Sequence, residues 1–134
     1  MVVTQVETLP LKGEQDIVLA RQAVRRLTQS LGFGLVDQTK MVTAASELAR
    51  NTVLYGLGGT MRCEVLDEGT RRGLRLQFAD QGPGIANLEQ ALTDGWTSGK
   101  GMGLGLSGAK RLVNEFDIES APDRGTIVTI ARWK

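Results

Sequence analysis

Three short segments hold the residues whose types and spacing could do chemistry. In ELARN, residues 47–51, Glu47 and Asn51 are four positions apart and therefore lie on one face of a helix. DQGPG begins at Asp80, a carboxylate that the alternation of its strand directs towards the protein interior, where it needs a donor. GKGMGLGLSG, residues 99–108, holds five glycines directly before a predicted helix. Each segment alone also fits an ordinary structure: a solvated helix face, a tight turn or a surface loop.

The glycine density of residues 99–108 is costly, because glycine loses more backbone entropy on folding than any other residue. The segment is therefore either a loose loop or backbone that closely approaches a ligand. It is not a Walker A loop, because GWTSGK at 95–100 is one residue too short and Gly101 follows where Ser or Thr is required. The GxGxxG match at 103–108 lacks the preceding strand of a dinucleotide-binding turn. Both of these phosphate-binding motifs are excluded.

The hydrophobic pattern predicts the elements that position these segments. Apolar residues at intervals of three and four predict helices at 14–31 and from after Asp37 to about Tyr55, and a third helix is predicted at 107–116. The core positions of the first two are Ile17, Ala20, Val24, Leu27 and Leu31, then Met41, Ala45, Leu48 and Thr52. Predicted strands are 2–9, 61–66, 74–80, 118–120 and 126–133, with a short helical turn near 88–92. This order predicts an α/β two-layer sandwich, with a mixed, mostly antiparallel sheet and three helices on one face.

Composition narrows the class of protein. The chain has 134 residues, 41% hydrophobic and 23% charged, which is typical of one globular domain. The formal net charge of +1 gives no broad electrostatic case for nucleic acid or an anionic membrane. The sequence has no histidine and one cysteine, Cys63, which excludes Ser-His-Asp catalysis, a histidine-ligated zinc and an internal disulfide. We predict a cytoplasmic protein with Cys63 as a small buried hydrophobic residue.

Taken in order, the three segments resemble the asparagine box and the two glycine boxes of the GHKL ATPase/kinase superfamily. Gly125 and Thr126, which open the last predicted strand, match the late threonine box of that family. The resemblance covers essentially the whole domain. It implies a Bergerat-type ATP-binding fold, with a single kinase domain at 1–134 and an ATP lid at about 86–105.

The resemblance also implies roles for individual residues, with ATP and Mg²⁺ as cofactors. Glu47 would be catalytic and polarise the attacking hydroxyl group, and Asn51 would hold Mg²⁺ through its side-chain oxygen. Asp80 would accept a hydrogen bond from the adenine amino group, and Thr126 would contact adenine through water. The other implied ATP contacts are Gly82, Gly84, Ile85, Lys100, Gly101, Met102, Gly103, Leu104, Gly105 and Leu106.

Longer stretches narrow the resemblance to the anti-sigma-factor serine kinase branch, and within it to stressosome switch kinases. These stretches are ELARN, YGLGG, QALTDG, GLGLSGAKRLVNEF and GTIVTIARW. The implied partners are a STAS-domain substrate, phosphorylated on serine or threonine, and a PP2C-type phosphatase regulator that the released kinase activates. Neither nucleic acid nor membrane is expected as a partner. Two alternatives remain open: a nucleotide-dependent anti-sigma factor or binding module, and a GHKL-like scaffold without catalysis.

Overall fold

The fold places a five-stranded sheet beside a layer of helices. A computed structural model describes residues 1–85 and 106–134. The strands are β1 (Val2–Leu11), β2 (Gly59–Asp67), β3 (Arg72–Asp80), β4 (Glu115–Ser120) and β5 (Thr126–Trp133). In the same ranges the helices are α1 (Glu14–Ser30), α2 (Leu35–Leu54) and α3 (Leu106–Arg111). The helical turn predicted near 88–92 lies outside the described residues.

The strand order of the sheet is β1-β2-β3-β5-β4, and all four pairings are antiparallel. The predicted α/β two-layer class is confirmed, but the described part of the chain contains no parallel pair, so the sheet is more uniform than the predicted mixed one. β5 lies between β3 and β4, and Ala79 pairs with Ile127. The end of β3 and the start of β5 are therefore neighbours, which brings Asp80 next to Thr126.

The hydrophobic core lies between the helices and one face of the sheet. All nine core positions predicted on α1 and α2 are buried, from Ile17 to Thr52. On β3 the alternate residues Leu74, Leu76 and Phe78 are buried against them. Cys63 is buried as predicted, and this burial raises the pKa of its thiol to about 12. The thiol is therefore an inert part of the core.

The start of α2 differs from the prediction. The helix begins at Leu35, with Gly34 as its N-cap, whereas the sequence predicted a start after Asp37. Asp37 instead lies in the first turn, and its Oδ1 accepts a hydrogen bond of 2.6 Å from Arg132 on β5. Because the Asp37 carboxylate pairs with Arg132 from within the first turn, it does not act as an N-cap.

The end of α3 also differs. The predicted helix ran to Phe116, but α3 ends at Arg111 and Phe116 lies in β4, opposite Ile130 of β5. The amide of Asn114 already donates to the carbonyl of Ala131 at 3.0 Å. Pairing with β5 therefore determines the structure of this stretch in place of its helix propensity.

None of the helices within 1–85 and 106–134 is both long and apolar enough to cross a membrane.

Candidate functional site

A cavity that is open to solvent at its mouth lies between the end of α2, the end of β3, the start of β5, and α3. Most of its wall is apolar, from α2, the sheet and α3. The lining residues are Leu48, Asn51, Thr52, Tyr55, Gly56, Phe78, Asp80, Gly84, Ile85, Leu106, Thr126 and Val128. Such a cavity, apolar with a few convergent polar groups, is typical of a small-molecule site.

Asp80 is the acidic side chain of the cavity wall. Its Oδ1 accepts two backbone hydrogen bonds, from Gly82 at 2.9 Å and from Thr126 at 3.1 Å. Burial raises the pKa of the Asp80 carboxyl group, and the two amide donors oppose that rise. No donor among the described residues contacts Oδ2. The carboxyl group therefore keeps one strong acceptor for a ligand.

Gly56 makes room for this carboxyl group. It follows α2, where the backbone carbonyl of Asn51 accepts the amides of Tyr55 and Gly56, both at 2.9 Å. A Cβ atom at residue 56 would overlap the Asp80 carboxyl group. A Cβ atom at Gly82 would lie 2.8 Å from the backbone of Gly56. The absence of side chains at both positions thus lets the end of α2 pack directly on the loop after β3.

The loop after β3 is held by the turn between β4 and β5. Gly84 has a φ of +77°, and a Cβ atom there would overlap the carbonyl of Ala121. The amide of Asp123 donates to the Pro83 carbonyl at 2.8 Å. The Ile85 amide donates to Ser120 Oγ at 2.8 Å. The positive φ and the approach to the Ala121 carbonyl explain why glycine is required at position 84, and the two hydrogen bonds hold the loop in this place.

Asn51 and Glu47 lie on successive turns of α2. Asn51 lines the cavity, whereas Glu47, one helical turn before it, is half-buried and is not among the lining residues. Their four-residue spacing within α2 puts both side chains on one face of the helix, as predicted.

The described structure brings together about half of the predicted site. Six of the predicted residues line the cavity: Asn51, Asp80, Gly84, Ile85, Leu106 and Thr126. Gly82 does not line it but packs against the backbone of Gly56, which does. Six predicted contacts lie outside the described residues: Lys100, Gly101, Met102, Gly103, Leu104 and Gly105. The predicted lid at 86–105 also lies there.

Sequence reasoning missed the apolar wall, Gly56 and Ser120. The sequence predicts Leu48 as a core residue and Phe78 and Val128 as strand residues. In the structure all three belong to the core and also line the cavity. Gly56 had a signal in the glycine-rich stretch YGLGG, directly after a predicted helix. Ser120 had no signal of its own, because a serine at a strand end is common.

The donor set fits a nucleotide better than a fully protein-bound metal. Residues 1–85 and 106–134 hold no group of three His, Cys, Asp or Glu side chains that could coordinate a metal ion. Mg²⁺ is commonly held by one or two protein oxygen ligands together with water and substrate phosphates, and the Asn51 amide oxygen is a ligand of that kind. The apolar wall with the Asp80 acceptor suits a flat ring that carries an amino group.

Residues 36–134 match the family of histidine kinase-, DNA gyrase B- and HSP90-like ATPases. Since this match spans most of the chain, the chain belongs to that ATPase family. The predicted GHKL membership is thereby confirmed.

Two curated relatives narrow the class further. The chain is 42% identical over 120 residues to the serine/threonine-protein kinase RsbT of Bacillus subtilis (strain 168), covering 90% of each chain. It is 25% identical over 131 residues to an anti-sigma F factor of Clostridium novyi (strain NT), covering 91% of this chain and 89% of that protein. The kinase relative confirms the predicted enzyme class, a protein serine/threonine kinase.

A solved structure supports the fold. The crystal structure of the RsbU and RsbW domains of a Mycobacterium tuberculosis protein superposes with a TM-score of 0.66 at 18% identity. The superposition covers 98% of this chain and 33% of that longer chain. The α/β fold is therefore shared with a protein of low sequence identity.

Proposed function

We propose that this chain is an ATP-dependent serine/threonine kinase of a bacterial partner-switching stress pathway, and that it acts in the cytoplasm. Its substrate would be a STAS-domain antagonist, and the released kinase would activate a PP2C-type phosphatase. The observation that carries the nucleotide part is the Asp80 carboxyl group, whose Oδ2 is an acceptor in an apolar cavity. The identity to a serine/threonine-protein kinase over 90% of both chains supports the catalytic part.

Asp80 would select adenine by accepting a hydrogen bond from its amino group. A carboxylate acceptor fits an amino group and rejects the carbonyl oxygen that guanine carries at the same position. The apolar wall formed by residues such as Phe78, Ile85 and Leu106 would contact the faces of the ring. Thr126 lies beside Asp80 and would add a polar contact at the ring edge.

Glu47 and Asn51 would serve phosphoryl transfer from the outer part of the same site. In that step the substrate hydroxyl oxygen bonds to the γ-phosphorus while the bond to the β–γ bridging oxygen breaks, and ADP leaves with that oxygen. Glu47 would orient the hydroxyl group and take up its proton. Asn51 would hold Mg²⁺, which neutralises charge on the phosphates. Phosphate contacts by Lys100, Gly101, Met102, Gly103, Leu104 and Gly105 stay predictions from the sequence.

A second candidate function is a nucleotide-dependent anti-sigma factor. The 25% identity to an anti-sigma F factor over nearly the whole chain favours it. Tight binding to a purified bacterial sigma factor, without phosphoryl transfer to any STAS-domain protein, would support this candidate over the kinase.

The first test is titration calorimetry of the full chain with ATP, ADP and GTP, with and without Mg²⁺. We expect adenine-selective binding that responds to Mg²⁺. Asp80→Asn should weaken ATP binding about 10- to 100-fold, because hydrogen bonds to charged groups contribute about 1.5–3 kcal/mol. In that variant the amide can turn an N–H towards the adenine amino group, which is itself a donor.

Asp117→Asn is the matched control, because Asp117 is exposed on β4 away from the cavity. It should bind ATP like the wild type. Equal ATP affinity of Asp80→Asn and the wild type would remove Asp80 from adenine recognition. Transfer of labelled γ-phosphate to a STAS-domain protein then tests the kinase assignment itself.

A further inference from the structure

Ser120, the last residue of β4, makes hydrogen bonds to three residues of two segments, the loop after β3 and the start of β5. Its Oγ accepts the Ile85 amide at 2.8 Å, donates to the Gly125 carbonyl at 3.0 Å and lies 2.7 Å from Thr126 Oγ1. Ile85 and Thr126 line the cavity, whereas Ser120 does not. Among the described residues, Ile85 and Thr126 therefore connect Ser120 to a ligand in the cavity.

The proton count fixes the direction of the contact between Ser120 and Thr126. A serine hydroxyl group has one proton and two acceptor lone pairs. The Ile85 amide uses one lone pair, and the proton goes to the Gly125 carbonyl. The 2.7 Å contact is then satisfied only if Thr126 donates to the second lone pair. In this arrangement Thr126 Oγ1 presents acceptor lone pairs to the cavity and no proton.

This arrangement has a consequence for the ring edge of adenine. Asp80 Oδ2 and Thr126 Oγ1 are both acceptors, but the edge of adenine carries the amino donor beside N1, which is an acceptor. N1 and Thr126 Oγ1 therefore need a water molecule that donates to both. A hydrogen bond from the Thr126 backbone amide to Asp80 Oδ1, at 3.1 Å, keeps these two residues together.

We propose that Ser120 is a positioning residue of the nucleotide site, which fixes Thr126 as an acceptor and so orders a water molecule between Thr126 and adenine N1. This inference rests on the proposed ATP-binding function and adds a determinant of base recognition to it. Without the Ser120 hydroxyl group, the Thr126 hydroxyl group can rotate and the bridging water loses its fixed acceptor.

The test compares ATP with two analogues by calorimetry. The triphosphate of 1-deazaadenosine lacks N1. Purine riboside triphosphate lacks the amino group that would donate a hydrogen bond to Asp80. For the wild type we expect each analogue to bind about 10-fold more weakly than ATP, which is roughly the effect of losing one hydrogen bond. We call the loss of affinity for the 1-deaza analogue the N1 penalty, and that for the purine analogue the amino penalty. In Ser120→Ala the penalty for losing N1 should fall below about 3-fold, while the penalty for losing the amino group stays near 10-fold.

Three variants make the result specific. Ser120→Thr keeps a hydroxyl group and should restore the N1 penalty. Thr126→Val leaves the Ser120 bonds to Ile85 and Gly125 in place, and should lose the N1 penalty as Ser120→Ala does. Ser30→Ala, at the exposed end of α1, is the control and should keep both penalties. If Ser120→Ala does not fold, Ser120→Cys takes its place, because its thiol is a weak acceptor, and it should lower the N1 penalty in the same way.

Several results would overturn the inference. One is a wild-type N1 penalty below 2-fold, and another is an N1 penalty that survives in Ser120→Ala. Equal loss of both penalties in Ser120→Ala would show that Ser120 supports the whole site without positioning Thr126. Failure of the wild type to bind ATP at all would instead reject the proposed function on which the inference rests.

Discussion

Glu47 is the side chain on which the proposed chemical step depends. It is half-buried on α2, one turn before Asn51, and it does not line the cavity that would hold the base. In the proposed mechanism this carboxylate acts on the substrate hydroxyl group and leaves nucleotide binding to other residues. Binding and transfer should therefore separate when Glu47 is changed.

Glu47→Gln should keep ATP affinity within about 2-fold and lower phosphoryl transfer about 100-fold or more, because general bases contribute roughly 10²–10⁴ to rate. Transfer of labelled γ-phosphate to a STAS-domain protein measures the second effect, and calorimetry the first. Glu119→Gln, an exposed change on β4, is the control and should leave both unchanged. A Glu47→Gln variant with wild-type transfer rates would remove Glu47 from the mechanism.

At the scale of single residues, sequence analysis could find those whose chemistry conflicts with their position. Asp80 is such a residue, a carboxylate on the inward-facing side of β3. Glu47 and Asn51 alone also fit a solvated helix face, and the family resemblance was needed to assign them. Ser120 and Gly56 were missed because their roles depend on contacts with residues 35 and 24 positions away, Ile85 and Asp80. The stretch YGLGG marks Gly56 as the end of a helix, but no local pattern encodes its contact with Asp80 or that of Ser120 with Ile85.

At the scale of elements, the site depends on how closely α2, the loop after β3 and the β4–β5 turn approach one another. Gly56 contacts the Asp80 carboxyl group and the Gly82 backbone, while Gly84 contacts Ala121. These approaches leave no room for Cβ atoms. The position of the Asp80 carboxyl group is therefore set by packing between elements as well as by its own hydrogen bonds.

Gly56→Ala should lower ATP affinity at least about 10-fold, because its Cβ atom would displace the Asp80 carboxyl group from its two amide donors. Calorimetry with ATP and a thermal unfolding curve measure the loss and confirm folding. Gly34→Ala is the matched control, since a Cβ atom there meets nothing within 4 Å and its φ of −63° suits any residue. Unchanged ATP affinity in a folded Gly56→Ala variant would contradict this packing account.

The boundaries of elements were less predictable than their existence. The periodicity located α1, α2 and the central strands, because burial of one face determines both pattern and packing. The start of α2 and the end of α3 depended on tertiary partners. Arg132 binds Asp37 at 2.6 Å and donates to the carbonyl of Leu112 at 2.8 Å. One side chain of β5 thus contacts residues at the beginning of α2 and just after α3.

At the scale of the whole molecule, two carboxylates on opposite sides of the sheet have opposite pKa shifts. Burial raises the pKa of Asp80, whereas Glu64 on β2 has its pKa lowered, first by a hydrogen bond from Arg75. Arg75 Nε lies 2.7 Å from Glu64 Oε1. Ionised Asp80 therefore opposes folding at neutral pH, while ionised Glu64 favours it.

The pH dependence of stability separates the two groups. At pH 7, Asp80→Asn should raise Tm by a few degrees, and Glu64→Gln should lower it by about 4 °C for a loss of about 1 kcal/mol. The gain from Asp80→Asn should vanish as the pH falls through the raised pKa of Asp80 towards about 3.9. The loss from Glu64→Gln should persist down to about pH 4.3 and disappear below it, as Glu64 takes up a proton in the folded protein too. Thermal unfolding of the three proteins between pH 7 and pH 3 measures both trends. A stability difference for either variant that does not change with pH would show that its carboxyl group has the same pKa in the folded and unfolded chain.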